Sequence, residues 1–358
     1  MRIGFAVLFM ACLGLAGAAD FASSSTVPAG AAEGAGDLAA MTLASESPLI
    51  LADLKELQRE ASLIKDDRMR RDALEILDQP RFSVVRERAP KEVEIVAKLK
   101  EAGLLTNTAT TIFPSHPPMR FIAAPASPWR VHHTYPGGLV VHTLINLQSA
   151  LHLAENHGPD LDLDLLRAAP IWHDCAKTMT LAWNANGTAR DSEGPLLAGT
   201  GAHHIWAVAE AAYRGYPPKF ILVLAAAHDP PYPKTLAAFI GYLRAAAIIA
   251  GKAEADVGLV KLGGGTYALA SLPPVESFLH HLSDHDYVLS EVAMEKVSSV
   301  AMEALQANPG WLGNQTLAWK LDTLFTHHGE SLYPALVSQG RGAITNAIRA
   351  LDGAGGAR

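Results

Sequence analysis

Histidine and aspartate are the residue types in this chain best suited to chemistry. Its 358 residues hold 15 histidines and 18 aspartates but only two cysteines. At these frequencies a His-Asp doublet arises about once by chance. Three stand in the chain, at His173-Asp174, His228-Asp229 and His285-Asp286. His142, His204 and His281 add to them, and most of these histidines lie among apolar neighbours, as in Val140-Val141-His142-Thr143-Leu144. Imidazole and carboxylate turned toward an apolar interior must be satisfied there, and one shared metal ion satisfies several at once. Asp284 and His285 follow His281 at three and four residues, so all three project from one side of a helix. Any one of these residues alone reads as a hydrogen-bonded histidine of core or surface. The set reads as a metal centre.

Separate elements must bring these residues together. Apolar positions recur at helical spacing over residues 48–77 and 90–104. Beyond a long loop at 105–131 the pattern is helical at 138–157, 163–175, 201–214, 218–228, 234–251, 274–306 with a break, 313–328 and 332–351. Gly and Pro punctuate the joints. His142, His173, His204, His228 and His281 thus fall on five different helices or at their ends. The expected fold is mainly α, with at most a short ribbon at 267–270. The glycines at 263–265 follow no strand and open no helix, which argues against a phosphate loop. Tyr135 and Trp172 read as core.

Composition narrows the function further. With 49% hydrophobic and 18% charged residues the chain is globular, and a net charge of -7 argues against an extended nucleic-acid surface. Arg2, the apolar run at 3–15 and Ala16-Gly17-Ala18 predict a signal peptide over 1–18, cleaved after Ala18 or Ala19, and a periplasmic or secreted product without a transmembrane helix. Cleavage removes Cys12 and leaves Cys175 without an intrachain partner. Residues 19–47, rich in Ala, Gly and Ser, read as a flexible linker. An N-terminal helical region at 48–110, a metal-binding domain at 111–305 and C-terminal helices at 306–352 follow.

The stretch His132-His133-Thr134-Tyr135-Pro136-Gly137-Gly138-Leu139-Val140-Val141-His142-Thr143, followed by His173-Asp174-Cys175-Ala176-Lys177, resembles the HD-domain metal-dependent phosphohydrolase superfamily, and its exoribonuclease-type branch most. The resemblance covers roughly 128–300. It implies an HD-type helical bundle holding one or two divalent ions through His142, His173, Asp174, His204, His228 and Asp284. His203 competes with His204, which aligns with the family's Gly-His-Ile type of motif. The chain departs from the pattern at Ala176, where Gly is usual, and at Asp229, where a second His is common.

The resemblance further implies that Asp174 bridges two metals, with His142, His173 and Asp284 on one and His204 and His228 on the other. Water activated there attacks phosphorus. Lys177, one helical turn after His173, stabilises charge on a phosphate oxygen, and His133 or His132 contacts substrate, with His133 preferred. Asp229 orients His228 or serves a neighbouring group. Mixed imidazole and carboxylate ligation suits Mn, Fe, Co, Ni or Zn. The expected partner is a small phosphoester or nucleotide-like substrate. A di-iron oxygenase and a non-catalytic sensor or scaffold are the alternatives.

Overall fold

The computed structural model describes residues 34–355 apart from 115, 129, 130 and 193. The expected signal peptide and most of the expected linker lie outside the described residues. From the N-terminal side run α1 (Ala35–Glu46), α2 (Pro48–Ser62), α3 (Asp67–Asp78), α4 (Ser83–Arg88) and α5 (Glu92–Glu101). The central helices are α6 (Gly138–Glu155), α7 (Leu163–His173), the short α8 (Lys177–Thr180), α9 (Ala202–Arg214), α10 (Pro218–Ala225) and α11 (Leu236–Ala250). The chain continues through α12 (Val275–Asp284), α13 (Tyr287–Ala307), α14 (Leu317–His328), α15 (Leu332–Gln339) and α16 (Arg341–Gly355). Two antiparallel ribbons complete a mainly α fold. One pairs β1 (Leu181–Trp183) with β2 (Ala189–Asp191), the other β3 (Leu259–Lys261) with β4 (Tyr267–Leu269).

The second ribbon falls where alternation hints at one, and the glycines at 263–265 are the turn that closes it. The expected helix at 274–306 breaks at His285 and Asp286, and the one expected at 332–351 is interrupted by Gly340 at φ 74°. The main apolar cluster runs from Ala40 to Ile348, so the N-terminal, central and C-terminal segments share a core, and a small second cluster of Ala150, Ala154, Leu166 and Leu279 lies between α6, α7 and α12.

Residues 35–46 form a helix where composition predicts a linker. Small residues are what its packing needs: Ala40 and Ala44 are fully buried, and a Cβ at Gly36 would stand 2.3 Å from the Trp183 carbonyl oxygen. Composition alone does not separate a close-packed small-residue helix from a tether. Helix α4 is likewise absent from the sequence pattern, because its cap is remote. The buried Glu210 carboxylate of α9 accepts the N–H groups of Ser83 and Val84, at 3.0 and 2.8 Å.

Helix α6 is central, packing against α2, α7 and α12. Its start is shaped by two glycines. Gly137 adopts φ 86°, and a Cβ on it would lie 2.6 Å from Ile50; a Cβ on Gly138 would lie 1.9 Å from the His133 carbonyl oxygen. The loop carrying His132 and His133 can therefore lie directly over the first turn of α6.

Candidate metal centre

His142 lies on the second turn of α6, its ring aimed at the seam with α7 and α12. His173 is the last residue of α7, and Asp174 caps that helix. Asp284 ends α12. The Nε2 atom of His142 stands 3.2 Å from both Asp174 Oδ2 and Asp284 Oδ1, and that of His173 stands 3.4 and 3.2 Å from the same two oxygens. Metal–ligand bonds of about 2.1 Å leave neighbouring donors about 3.0–3.4 Å apart, the spacing seen here. Asp174 turns its other oxygen, Oδ1, toward His203 Nε2 at 3.6 Å. Donor atoms of His142, His173 and Asp284 form one compact group and those of Asp174, His203 and His228 another, each within 4.8 Å.

The first group and Asp174 are dry and under-satisfied. His173 and Asp174 are essentially inaccessible to solvent, yet among the described residues His173 Nε2 and Asp174 Oδ1 find no hydrogen-bond partner. Such buried atoms are costly unless something else satisfies them, and this cluster could do so by holding a cation. Orientation supports this. Within the Pro170 turn, His173 Nδ1 donates to the Pro170 carbonyl at 2.8 Å, which leaves Nε2 to face the carboxylates.

Electrostatics point the same way. Burial alone would lower the pKa of His142, but Asp174 and Asp284 outweigh it and push it up to about 9. For His173 the same two carboxylates, acting against burial, push it up to about 10. Asp174 and Asp284 are held well below the carboxylate range despite burial, Asp174 chiefly by Lys177 and His173, Asp284 chiefly by His173 and His142. The pocket thus draws positive charge, and a cation would take the place of protons on the two histidines. On the other side, burial and then His203 press His228 down to about 3, so it is neutral and ready to ligate.

Not every expected residue lies where the sequence suggests. The structure turns His203, not His204, toward Asp174. His204 is fully buried, donates from Nε2 to the Ala225 carbonyl at 3.1 Å and stacks on His228 with ring centroids 4.3 Å apart. Adjacent residues on a helix point about 100° apart, so only one of the pair can face the centre. Asp229 does not orient His228; it accepts a hydrogen bond from Tyr242. His281 donates to the Ala227 carbonyl and joins neither group. Lys177 does reach the centre, pairing with Asp174 Oδ2 at 2.5 Å. Asn146, which sequence reasoning missed, donates to Asp284 Oδ1 at 2.9 Å. Its signal was its place one turn after His142 on α6.

A cavity of about 380 Å³ opens onto the centre. His142, Asp174, Lys177, His203, His228 and Asp284 form its floor, and His132, His285, Tyr287, Val131 and Pro128 its walls. His132 faces this space. His133 does not line it: a φ of 46° turns the chain there, and its fully buried ring points to Glu330, with Nε2 3.3 Å from Oε1. A cavity of this size admits a small molecule. No described helix is long and apolar enough to cross a membrane.

No family model matches the chain, and no solved structure matches it. Among curated proteins it is similar to the dihydroneopterin 2',3'-cyclic phosphate phosphodiesterase of Methanocaldococcus jannaschii, with 26% identity over 194 residues. The match covers 52% of this chain and 65% of the relative's own length.

Proposed function

We propose that this chain is an HD-type metal-dependent phosphohydrolase, a phosphomonoesterase or phosphodiesterase acting on a small phosphoester. The observation that carries the reading is Asp174, a buried carboxylate with one oxygen facing His142 and His173 and the other facing His203. Distant similarity to a phosphodiesterase supports a phosphoester as substrate. His142, His173, Asp174 and Asp284 would hold one divalent ion, and Asp174, His203 and His228 a second. Bound there, a divalent ion supplies Lewis acidity and a water acidic enough to ionise near neutral pH.

The chain's own residues do the rest. Lys177 lines the cavity beside Asp174 and can bind a phosphate oxygen, stabilising charge as it builds. Asn146 holds Asp284 in place, and the Pro170 carbonyl holds the His173 ring. Val131 and Pro128 add apolar surface to the wall of the cavity. We also propose export, supported by the apolar run at 3–15 and the small residues after it.

Metal analysis of the purified protein, with phosphatase and phosphodiesterase substrates assayed beside Asp174→Ala, tests the reading. Bound transition metal and phosphate release are expected in the parent and neither in the variant; equal turnover by both would end the proposal. Oxygen consumption without phosphate release after anaerobic iron loading would favour a di-iron oxygenase. Tight ligand binding without turnover would favour a sensor.

A further inference from the structure

Behind the cavity wall a chain of polar contacts runs from the C-terminal part of the molecule to His132. Glu330, in the tight turn between α14 and α15, is largely but not fully buried, with its side chain 15% exposed. Its carboxylate accepts from the Tyr135 hydroxyl at 3.1 and 3.2 Å and from Ser290 Oγ at 2.9 Å. Ser290 Oγ in turn accepts the backbone N–H of His133 at 3.0 Å, which leaves its proton for Glu330. His133 Nε2 stands 3.3 Å from Glu330 Oε1, and His133 Nδ1 stands 3.3 Å from His132 Nδ1.

Hydrogen-bond polarity along this chain has a direction. His133 Nε2 makes no well-formed hydrogen bond among the described residues, but the polar atom it faces at 3.3 Å is a carboxylate oxygen with only lone pairs to offer, so hydrogen on Nε2 is the arrangement that avoids lone-pair repulsion. A neutral imidazole then has a lone pair at Nδ1, and that lone pair calls for a hydrogen on His132 Nδ1. What remains on His132 is a lone pair at Nε2, on a ring that lines the cavity.

We propose that Glu330 and His133 are positioning residues that set the tautomer of His132, so that His132 presents an Nε2 acceptor to the substrate's hydroxyl or to the attacking water. The inference deepens the phosphohydrolase reading and rests on it for the identity of the substrate. It gives the segment after 305, which the sequence resemblance does not reach, a part in the site. It also assigns the buried Glu330–Tyr135–Ser290 cluster a role that the metal centre does not use. The competing use of these rings is as ligands, since His132, His133 and His142 also have donor atoms within 4.8 Å of one another.

Histidine ¹⁵N shifts of the full-length protein report which ring nitrogen carries hydrogen, with His132→Gln and His133→Gln used for assignment. In the parent protein, metal-free and zinc-loaded, we expect His133 protonated on Nε2 and His132 on Nδ1. His132 protonated on Nε2, or both rings shifted by zinc at Nδ1, would overturn the proposal. In Glu330→Ala we expect His132 to become a mixture of tautomers and kcat to fall about 10- to 100-fold with little change in KM. Glu330→Asp should recover part of the loss. Unchanged tautomers in a folded Glu330→Ala protein would also overturn it. Because tautomers are read without substrate, finding them as expected in a protein that hydrolyses no phosphoester would sink the phosphohydrolase reading and leave the relay standing.

Discussion

The two faces of the Asp174 carboxylate are unlike. One looks into the seam of α6, α7 and α12, where His142 and His173 have almost no solvent exposure, although His142 and Asp284 also reach the cavity floor, and where Asp284 doubles the negative charge. The other looks toward the cavity, where His203 and His228 are partly exposed and no carboxylate besides Asp174 joins their group. On the buried face the histidines hold protons tightly, at about 9 and about 10; on the open face His228 sheds its proton at about 3. A cation on the buried face therefore gains two charges but must displace protons. On the open face it displaces none from His228 and stays within reach of solvent and substrate. On the proposed reading, the buried face would hold its ion and the open face would exchange it.

The largest effect expected is that of Asp174→Ala, the one residue common to both faces. It should abolish metal retention on dialysis and bring phosphoester hydrolysis to background; a variant that kept its metal would refute the shared role of this carboxylate. Lys177→Ala comes next, with kcat lower by about 10²- to 10³-fold and metal content unchanged. Loss of metal instead would mean that Lys177 shapes the centre rather than the substrate.

The two faces should also differ in pH dependence. With folded pKa values of about 9 and about 10, His142 and His173 are protonated at pH 7 without a cation, so binding on the buried face releases protons. Affinity there should rise with pH toward 9, by up to about tenfold per unit for each proton displaced. Titration calorimetry of the apoprotein in buffers of different ionisation enthalpy measures that release. Equal proton release in the parent and in a His142→Ala variant would break the comparison. The smallest effect separates two neighbours on α9. His203→Ala should lower the bound metal with little change in stability, whereas His204→Ala should keep it and cost about 1–3 kcal/mol in urea unfolding, through the lost bond to Ala225. The reverse result would restore His204 to the centre.

Much of the arrangement was legible in the chain before any coordinates. Helical spacing of apolar residues located α6, α7, α9 and α11, and Gly or Pro marks several of their ends, although α6 and α9 are buried on nearly all sides rather than along one stripe. The same reading missed α1, whose small residues carry no strong stripe, and α4, whose N-terminal cap comes from Glu210, more than a hundred positions away. It also missed Asn146 and Glu330. Neither stands in a doublet or a motif, and each matters only for what it meets across the core.

The sequence by itself determined the residue types and the order of the helices that carry them. A chain with His142, His173-Asp174 and Asp284 on three apolar helices must satisfy those side chains somewhere, and burial makes a cation the economical solution. Tertiary structure decided which member of each adjacent pair faces the site. His203 rather than His204, and His132 rather than His133, were settled by the rotation of α9 and by one positive φ angle. Both are properties of packing: neighbouring side chains share a sequence context but not a direction, and direction is fixed only when the surrounding helices close on them.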